Sequence, residues 1–217
     1  MGFGPLPAVF RACGGRTLLL TVLAGATLAA GWVEIMRGPL GQVNVLTLQV
    51  ISKESLNTLA PLAITLIFLV RCGPLLAFGY AELRGLVSDQ DPHGVLGWVG
   101  FCRRELLGAC LGALSLFVYF VAAELVMALI VTPGQQLFVE FRELLETMRL
   151  VDFITGISKT VLFVLVSTLL CCRQGFRCGP ERSRYPSLVS DALLQCLMVV
   201  LLMELFWVGT LNQIVLL

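Results

Sequence analysis

The chain has 217 residues, of which 58% are hydrophobic and only 13% are charged, and its formal net charge is +1. Soluble domains average about 25% charged residues, and a soluble fold of this length cannot bury so much apolar surface. This composition excludes a soluble enzyme and a disordered chain. The near-zero net charge also gives no basic footprint for nucleic acid. The sequence is that of an integral membrane protein.

Five apolar runs are long enough to cross a bilayer as helices, which takes about 20 residues. They predict membrane spans over residues 17–33, 56–80, 106–131, 153–172 and 192–217. The first run also fits a cleavable signal peptide, because Arg11 and Arg16 precede it and Ala24-Gly25-Ala26 lies within it. Pro74 in the second run removes a backbone donor, which predicts a kink or break. The predicted fold class is all-α, with residues 1–217 forming one transmembrane domain.

The loop between spans three and four carries a helical pattern of its own over residues 135–150. Apolar residues recur there at spacings of three and four, with glutamates between them: Leu137, Phe138, Phe141, Leu144, Leu145 and Met148 against Glu140, Glu143 and Glu146. This pattern predicts an amphipathic helix. It either lies along the membrane interface or packs on a partner's domain, and periodicity does not separate the two.

Basic residues are distributed unevenly between the two sides of the membrane. The N-terminus and the second and fourth loops hold nine Lys and Arg residues, and the first and third loops hold four. Because basic residues favour the cytoplasmic side, this places the N-terminus in the cytoplasm. With five spans, the C-terminus then lies outside.

No motif for catalysis is present in the sequence. It contains no GxxxxGK[ST], HExxH or GxSxG motif, and its one histidine, His93, follows Pro92 in a loop. The eight cysteines include no CxxC pair, so they do not form a Cys/His metal set. We therefore expect no catalytic residues, no cofactor and no metal, and any ATP hydrolysis would belong to a partner.

Four charged residues fall inside the predicted spans, namely Arg71, Glu124, Lys159 and Glu204. A charge at membrane depth costs a few kcal/mol on insertion scales, so each is expected to be paired or functional. For Arg71 we expect a buried structural pair, for example with a carboxylate of a neighbouring helix, in preference to contact with a substrate. Lys159 and Glu204 either orient helices or act in transport. A GxxxG motif, Gly108 to Gly112, also predicts close packing in span three.

Three blocks of short motifs follow one another along the spans. They are Leu59-Ala60-Pro61, Arg71-Cys72-Gly73 and Ala81-Glu82-Leu83 in the second; Lys159 to Phe163 and Cys171 to Phe176 in the fourth; and Met203-Glu204-Leu205-Phe206 in the fifth. In this order they resemble the MlaE (YrbE) family of ABC-transporter permeases. The resemblance covers roughly residues 15 to 217.

The resemblance implies a function and a set of partners. MlaE-like permeases are homodimers in the bacterial cytoplasmic membrane that bind a cytoplasmic ATPase and an MCE-domain lipid carrier, and they move phospholipid or a related lipid. By this resemblance the lipid path would include Trp32, Glu34, Asn57, Thr58 and Leu59. ATPase coupling or a structural role would fall to Arg71, Glu82, Arg84, Asp89 and Gln90, and Lys159 and Glu204 would orient helices.

The sequence also departs from the family pattern. Asn57-Thr58 replaces an Arg-Glu pair, Pro74 replaces a serine, and only eight residues separate Glu82 from Asp91, where the family has a longer coupling segment. Two other functions therefore stay open. One is a non-transporting scaffold of an MCE-type complex, and the other is a small secondary carrier.

Overall fold

The computed structural model describes residues 8–40, 53–87, 95–131, 150–178 and 185–215, and these ranges are almost entirely helical with no strand among them. Six α-helices follow in order, and a π-helical turn over Ser55–Leu59 leads directly into the third. They are α1 (Ala8–Ala12), α2 (Arg16–Leu40), α3 (Ala60–Val87), α4 (Val95–Val131), α5 (Leu150–Cys178) and α6 (Tyr185–Val215).

Five helical segments within the described ranges are long and apolar enough to cross a membrane. They are Arg16–Ile35, Ser55–Leu83, Arg103–Val131, Leu150–Arg177 and Pro186–Gly209. The prediction of an all-α protein with five spans is confirmed. The helix that contains the last predicted span begins at Tyr185, before residue 192, and its first turns include the polar residues Ser187, Ser190 and Asp191.

Two further predictions concern Pro74 in the second span and the segment between the third and fourth spans. The helix α3 runs without a break through Pro74, so of the predicted kink or break the break is not found; a proline inside a helix still removes one hydrogen bond. The predicted amphipathic segment lies outside the described residues, except for Leu150, which begins α5.

The centre of the bundle is formed by α3, α4 and α5. The helix α3 packs most extensively on α5, α2 packs on α4, and α6 packs on α5 and α3. The core between them is aromatic and aliphatic, with Phe68, Phe117, Phe120 and Phe163 almost fully buried. Large apolar side chains of α2 and α6 such as Leu19, Leu205 and Phe206 are exposed. Such side chains are as apolar as the lipid tails that would cover them.

The short helix α1 packs against the core through a tight turn. Gly15 follows α1 with a φ of +57°, a left-handed conformation that glycine adopts without a steric penalty. The turn brings Cys13 against α4, where a Cβ atom added at Gly112 would lie 2.6 Å from the Cys13 sulfur. The close packing predicted at the GxxxG motif is therefore found at Gly112, and its neighbour is the turn before α2.

Cysteines fill the contacts between helices as buried thiols. The sulfur atoms of Cys13 and Cys72 lie 3.8 Å apart, and those of Cys171 and Cys196 lie 3.7 Å apart. All four are buried and free. In the residues that the structure describes, no three His, Cys, Asp or Glu side chains are grouped so that they could hold a metal.

Candidate functional site

A buried ion pair joins α5 to α6. The Nζ atom of Lys159 lies 2.7 Å from Oε1 of Glu204, and the two residues are only 1% and 7% exposed. Taking both charges out of water costs several kcal/mol for each ion, and their attraction has to offset that cost. The pair therefore depends on its short distance and on further polar contacts of the two ions, unlike a salt bridge at a protein surface.

The π-helical turn supplies a second partner for the same ammonium group. Lys159 also donates a hydrogen bond to the main-chain oxygen of Asn57, with a distance of 2.8 Å. Asn57 lies in the turn Ser55–Leu59, in which the Ala60 N–H bonds to the oxygen of Ser55 five residues earlier. Short π-helical segments are rare and occur frequently at functional sites. Here the turn connects the start of the second span to the charge on α5.

Two aromatic rings complete the surroundings of Lys159. The centroids of Phe163 and Trp207 each lie 5.8 Å from Nζ, a distance at which a cation is attracted to the ring face. Phe163 is one turn after Lys159 on α5, and Trp207 is three residues after Glu204 on α6. The two helices thus each contribute one charged and one aromatic side chain.

A second carboxyl group lies near the other end of the turn. Glu124 of α4 is 4% exposed, and Ser55 is the polar side chain beside it. The Ser55 hydroxyl makes no hydrogen bond of regular geometry with it. The π-helical turn therefore lies beside Glu124 through Ser55, and through Asn57 it contacts Lys159, the partner of Glu204. We call Ser55, Asn57, Glu124, Lys159 and Glu204 the buried polar cluster.

The cluster lies toward one end of the bundle. Lys159 is nine residues after the start of α5, or about 14 Å along its axis at 1.5 Å per residue. Glu204 is five residues before the end of the fifth candidate span, Pro186–Gly209, and Ser55 begins the second. These positions place the polar groups inside the spans rather than in loops.

The structure brings together three residues to which the sequence assigned two different roles. Asn57, expected in the lipid path, contacts Lys159, which was expected to orient helices with Glu204. Thr58 and Leu59 are half-buried in the same turn. Trp32 is half-buried and Glu34 is exposed, and both lie in the second half of α2.

The residues expected at the cytoplasmic side are not gathered into one site. Arg71 is exposed on α3, so the buried pair expected for it is not formed; its neighbour Val70 is also exposed. Glu82 is exposed as well, and Arg84 lies in the last turns of α3. Asp89 and Gln90 lie outside the described residues.

Sequence reasoning missed Ser55 and Trp207. Helical spacing could have pointed to Trp207, because residues three apart on a helix are neighbours and Glu204 was already selected. Ser55 had no such signal, since it precedes the predicted span by one residue and its burial results from the π-helical turn.

A comparison with family models matches residues 105–209 to the family described as Permease MlaE. The matched region includes Glu124, Lys159 and Glu204, and it ends where the fifth candidate span ends. A comparison with curated proteins found no match. Together with the five candidate spans, the match over residues 105–209 is consistent with a divergent permease of the MlaE/YrbE type, and it supports a permease subunit of an ABC-type transporter.

Proposed function

We propose that this permease moves phospholipid or a related lipid between the membrane and the extracytoplasmic side, with energy from a separate ATPase. The family match and the absence of a nucleotide-binding motif in the sequence support this function. The observation that carries it is the buried pair of Lys159 and Glu204, which joins two helices of the matched region.

A buried ion pair of this kind fits a transport path better than a purely structural role. Replacing such a pair by apolar residues of similar volume is often neutral or stabilising, so its presence is weak support for a role in stability. Ionisable residues inside membrane spans are costly and mark substrate pathways. A lipid headgroup crossing the bilayer needs polar partners at that depth, and α5 and α6 provide them.

The assembly follows from the same proposal. Two copies of the chain, each a single transmembrane domain over residues 1–217, associate with a cytoplasmic ATPase and an MCE-domain lipid carrier in a bacterial cytoplasmic membrane. The asymmetry of nine basic residues against four supports a cytoplasmic N-terminus and an outer C-terminus. In this orientation the buried polar cluster belongs to the outer half of the membrane.

Residues at the two ends would then have different roles. The segment Asn57 to Leu59, with Trp32 and Glu34, would line the outer part of the lipid path. The ATPase would dock at the cytoplasmic side, near Arg71, Glu82, Arg84, Asp89 and Gln90. The exposure of Glu82, next to the end of the second candidate span at Leu83, supports its availability to another chain.

Purification of the tagged chain in mild detergent, with mass spectrometry of the proteins and lipids that accompany it, tests the partners. The purified complex is then reconstituted, and transfer of a fluorescent phospholipid is measured with ATP. We expect Lys159→Met and Glu204→Gln to slow transfer at least about tenfold, which corresponds to roughly 1.4 kcal/mol. Lys53→Met is the matched control, because Lys53 is exposed and forms a loose pair with Asp152 at 3.8 Å. Equal transfer by all variants would refute the role of the pair.

A scaffold function is the second candidate, and one observation favours it. Only eight residues lie between Glu82 and Asp91, which is short for a segment that must dock on an ATPase. Recovery of an MCE-domain protein without an ATPase would support this scaffold. Transfer that depends on a proton gradient, with neither partner recovered, would indicate a secondary carrier.

A further inference from the structure

We infer that the buried polar cluster is a headgroup subsite that selects lipids carrying hydrogen-bond donors, either ammonium or hydroxyl groups. The inference rests on the proposed lipid transport and adds to it the chemistry by which lipids are distinguished. It depends on polar atoms that the protein leaves unpaired.

The two residues that hold Lys159 each keep a second, unused acceptor. Glu204 binds Lys159 through Oε1, while its Oε2 is buried without a hydrogen-bond partner. Asn57 binds Lys159 through its main-chain oxygen, while its side-chain Oδ1 is buried without a partner. More than about 90% of buried polar groups in proteins are hydrogen-bonded. Two unpaired acceptors on residues joined through one ammonium group are therefore a local feature that requires an explanation.

A ligand that satisfies these atoms must bring donors. Oε2 of a carboxylate and Oδ1 of an amide accept hydrogen bonds and cannot donate them. Ser55 adds a hydroxyl that also lacks a regular hydrogen bond. An ammonium group offers three donors and a hydroxyl offers one, whereas a quaternary ammonium group offers none.

The charged groups of the cluster also favour binding of the donor-bearing end of a headgroup rather than its phosphate. Among the five cluster residues Lys159 is the one cation, and it is already engaged by Glu204 and by the rings of Phe163 and Trp207. Glu124 adds a second carboxyl group. The cluster is thus rich in acceptors and has no unengaged cation for a phosphate. Discrimination would act on the donor-bearing end of the headgroup.

Entry of the headgroup requires movement of the helices, because the unpaired atoms are buried within the chain. The ion pair is the polar contact between α5 and α6 at this level. The π-helical turn is a rare register that leads directly into α3. Displacement of α6 from α5 would expose the unpaired acceptors of Glu204 and Asn57 together.

Three phospholipids with matched acyl chains test this inference, because they share a phosphodiester and differ in donors. Phosphatidylethanolamine carries an ammonium group, phosphatidylglycerol carries hydroxyls, and phosphatidylcholine carries no donor. The full chain, with the partners that accompany it, is incubated with an equimolar mixture, and the retained lipids are counted by native mass spectrometry. We expect one or both donor-bearing lipids to be enriched about three- to tenfold over phosphatidylcholine, as one recovered hydrogen bond would give. Enrichment of the first alone identifies the ammonium group, and enrichment of the second identifies hydroxyls.

Matched variants assign the selection to the cluster. Asn57→Leu removes the side-chain acceptor but keeps the main-chain oxygen that binds Lys159, so we expect the enrichment to fall to about onefold or close to it. Ser55→Ala is the second variant, and it keeps the inference testable if Asn57→Leu folds poorly. Thr160→Val is the control, because the Thr160 hydroxyl is buried but already bonded to the Gly156 oxygen at 2.7 Å.

The outcomes separate this inference from the function on which it rests. Retention of all three lipids in equal amounts would overturn the donor selection and leave lipid transport standing. Enrichment that persists in both Asn57→Leu and Ser55→Ala would overturn the assignment to this cluster. Retention of no phospholipid would overturn the proposed function and the inference together.

Discussion

Gly175 of α5 lies directly against the main-chain oxygen of Ala77 in α3. A Cβ atom at position 175 would overlap that oxygen and would also lie 3.0 Å from the Cβ atom of Tyr80. At the other end of α5, a Cβ atom at Gly156 would lie 2.8 Å from the main-chain oxygen of Leu56. The helix α5 therefore touches the backbone of the second span at two levels. Because Gly156 is three residues before Lys159, this contact also sets the distance between Lys159 and the π-helical turn.

Alanine at either of these glycines is expected to destabilise the protein. Gly175→Ala and Gly156→Ala would push α5 away from backbone atoms that cannot move aside, at a cost of about 1–3 kcal/mol each. Gly79→Ala is the control, since Gly79 lies within α3 and has nothing within 4 Å of its added Cβ. That substitution should be neutral or stabilising by up to about 1 kcal/mol, because alanine favours a helix. Thermal unfolding in detergent measures all three, and equal midpoints would contradict the packing of α5 on the second span.

The ion pair of Lys159 and Glu204 predicts a non-additive effect on stability. Removing one partner by Lys159→Met or Glu204→Leu leaves a buried charge without compensation and costs about 3–5 kcal/mol. The double variant Lys159→Met with Glu204→Leu removes both charges, so it should be more stable than Lys159→Met alone.

Lys53→Met is the surface control for this cycle. The pair of Lys53 with Asp152 is exposed at the lysine and 3.8 Å long, so its loss should cost no more than about 1 kcal/mol. Chemical unfolding in detergent gives the four free energies that the cycle needs. Additive losses in the double variant would show that the two charged groups do not interact.

The sequence predicted the spans and the charged residues inside them, because both predictions depend on the free energy of transferring a side chain from water to lipid. Apolar runs of bilayer length identified all five helices, and the cost of a charge in lipid selected Lys159 and Glu204. The partner of each charge could not be read in the same way, since it depends on how distant segments pack. Asn57 and Lys159 are 102 positions apart, and no local pattern connects them.

The environment of Arg71 was not predicted correctly from the cost of a charge in lipid. A charge inside an apolar run was expected to be buried with a carboxylate, yet the position falls on an exposed face of α3. Burial within a run depends on which face of the helix meets its neighbours, and apolar residues are spread around the whole circumference of α3. Its sequence therefore gives little indication of which face is inside, and only the packing of α4, α5 and α6 around it decides.

The thiols of Cys171 and Cys196 predict a cross-link between α5 and α6. Their sulfur atoms are 3.7 Å apart, and both residues are fully buried. A membrane-permeable diazene oxidant such as diamide would take up the two hydrogen atoms of the thiols as the disulfide forms. We expect mass spectrometry of the digested protein to show peptides that join Cys171 to Cys196 and others that join Cys13 to Cys72. Cys196→Ser should abolish the first link and leave the second, and joining of Cys171 to Cys110 instead would contradict the arrangement.

The carboxylate of Glu105 is predicted to hold α1 against the bundle. It is 8% exposed and accepts a hydrogen bond from the main-chain N–H of Val9 at 3.4 Å, at the N-terminal end of α1. An acidic group there satisfies an amide that the helix itself leaves unpaired and faces the positive end of the helix dipole. Loss of a cap of this kind costs about 1 kcal/mol.

Glu105→Ala should therefore speed hydrogen exchange in residues 9–13 by about fivefold, because lowering the free energy of local opening by about 1 kcal/mol raises the open population by that factor. Glu82→Ala is the control, because Glu82 is an exposed carboxylate on α3. Exchange measured by mass spectrometry on peptides from the N-terminus decides the outcome. If Glu105→Ala and Glu82→Ala exchange at the same rate there, α1 is held by the apolar contacts of Val9 and Cys13 rather than by the carboxylate.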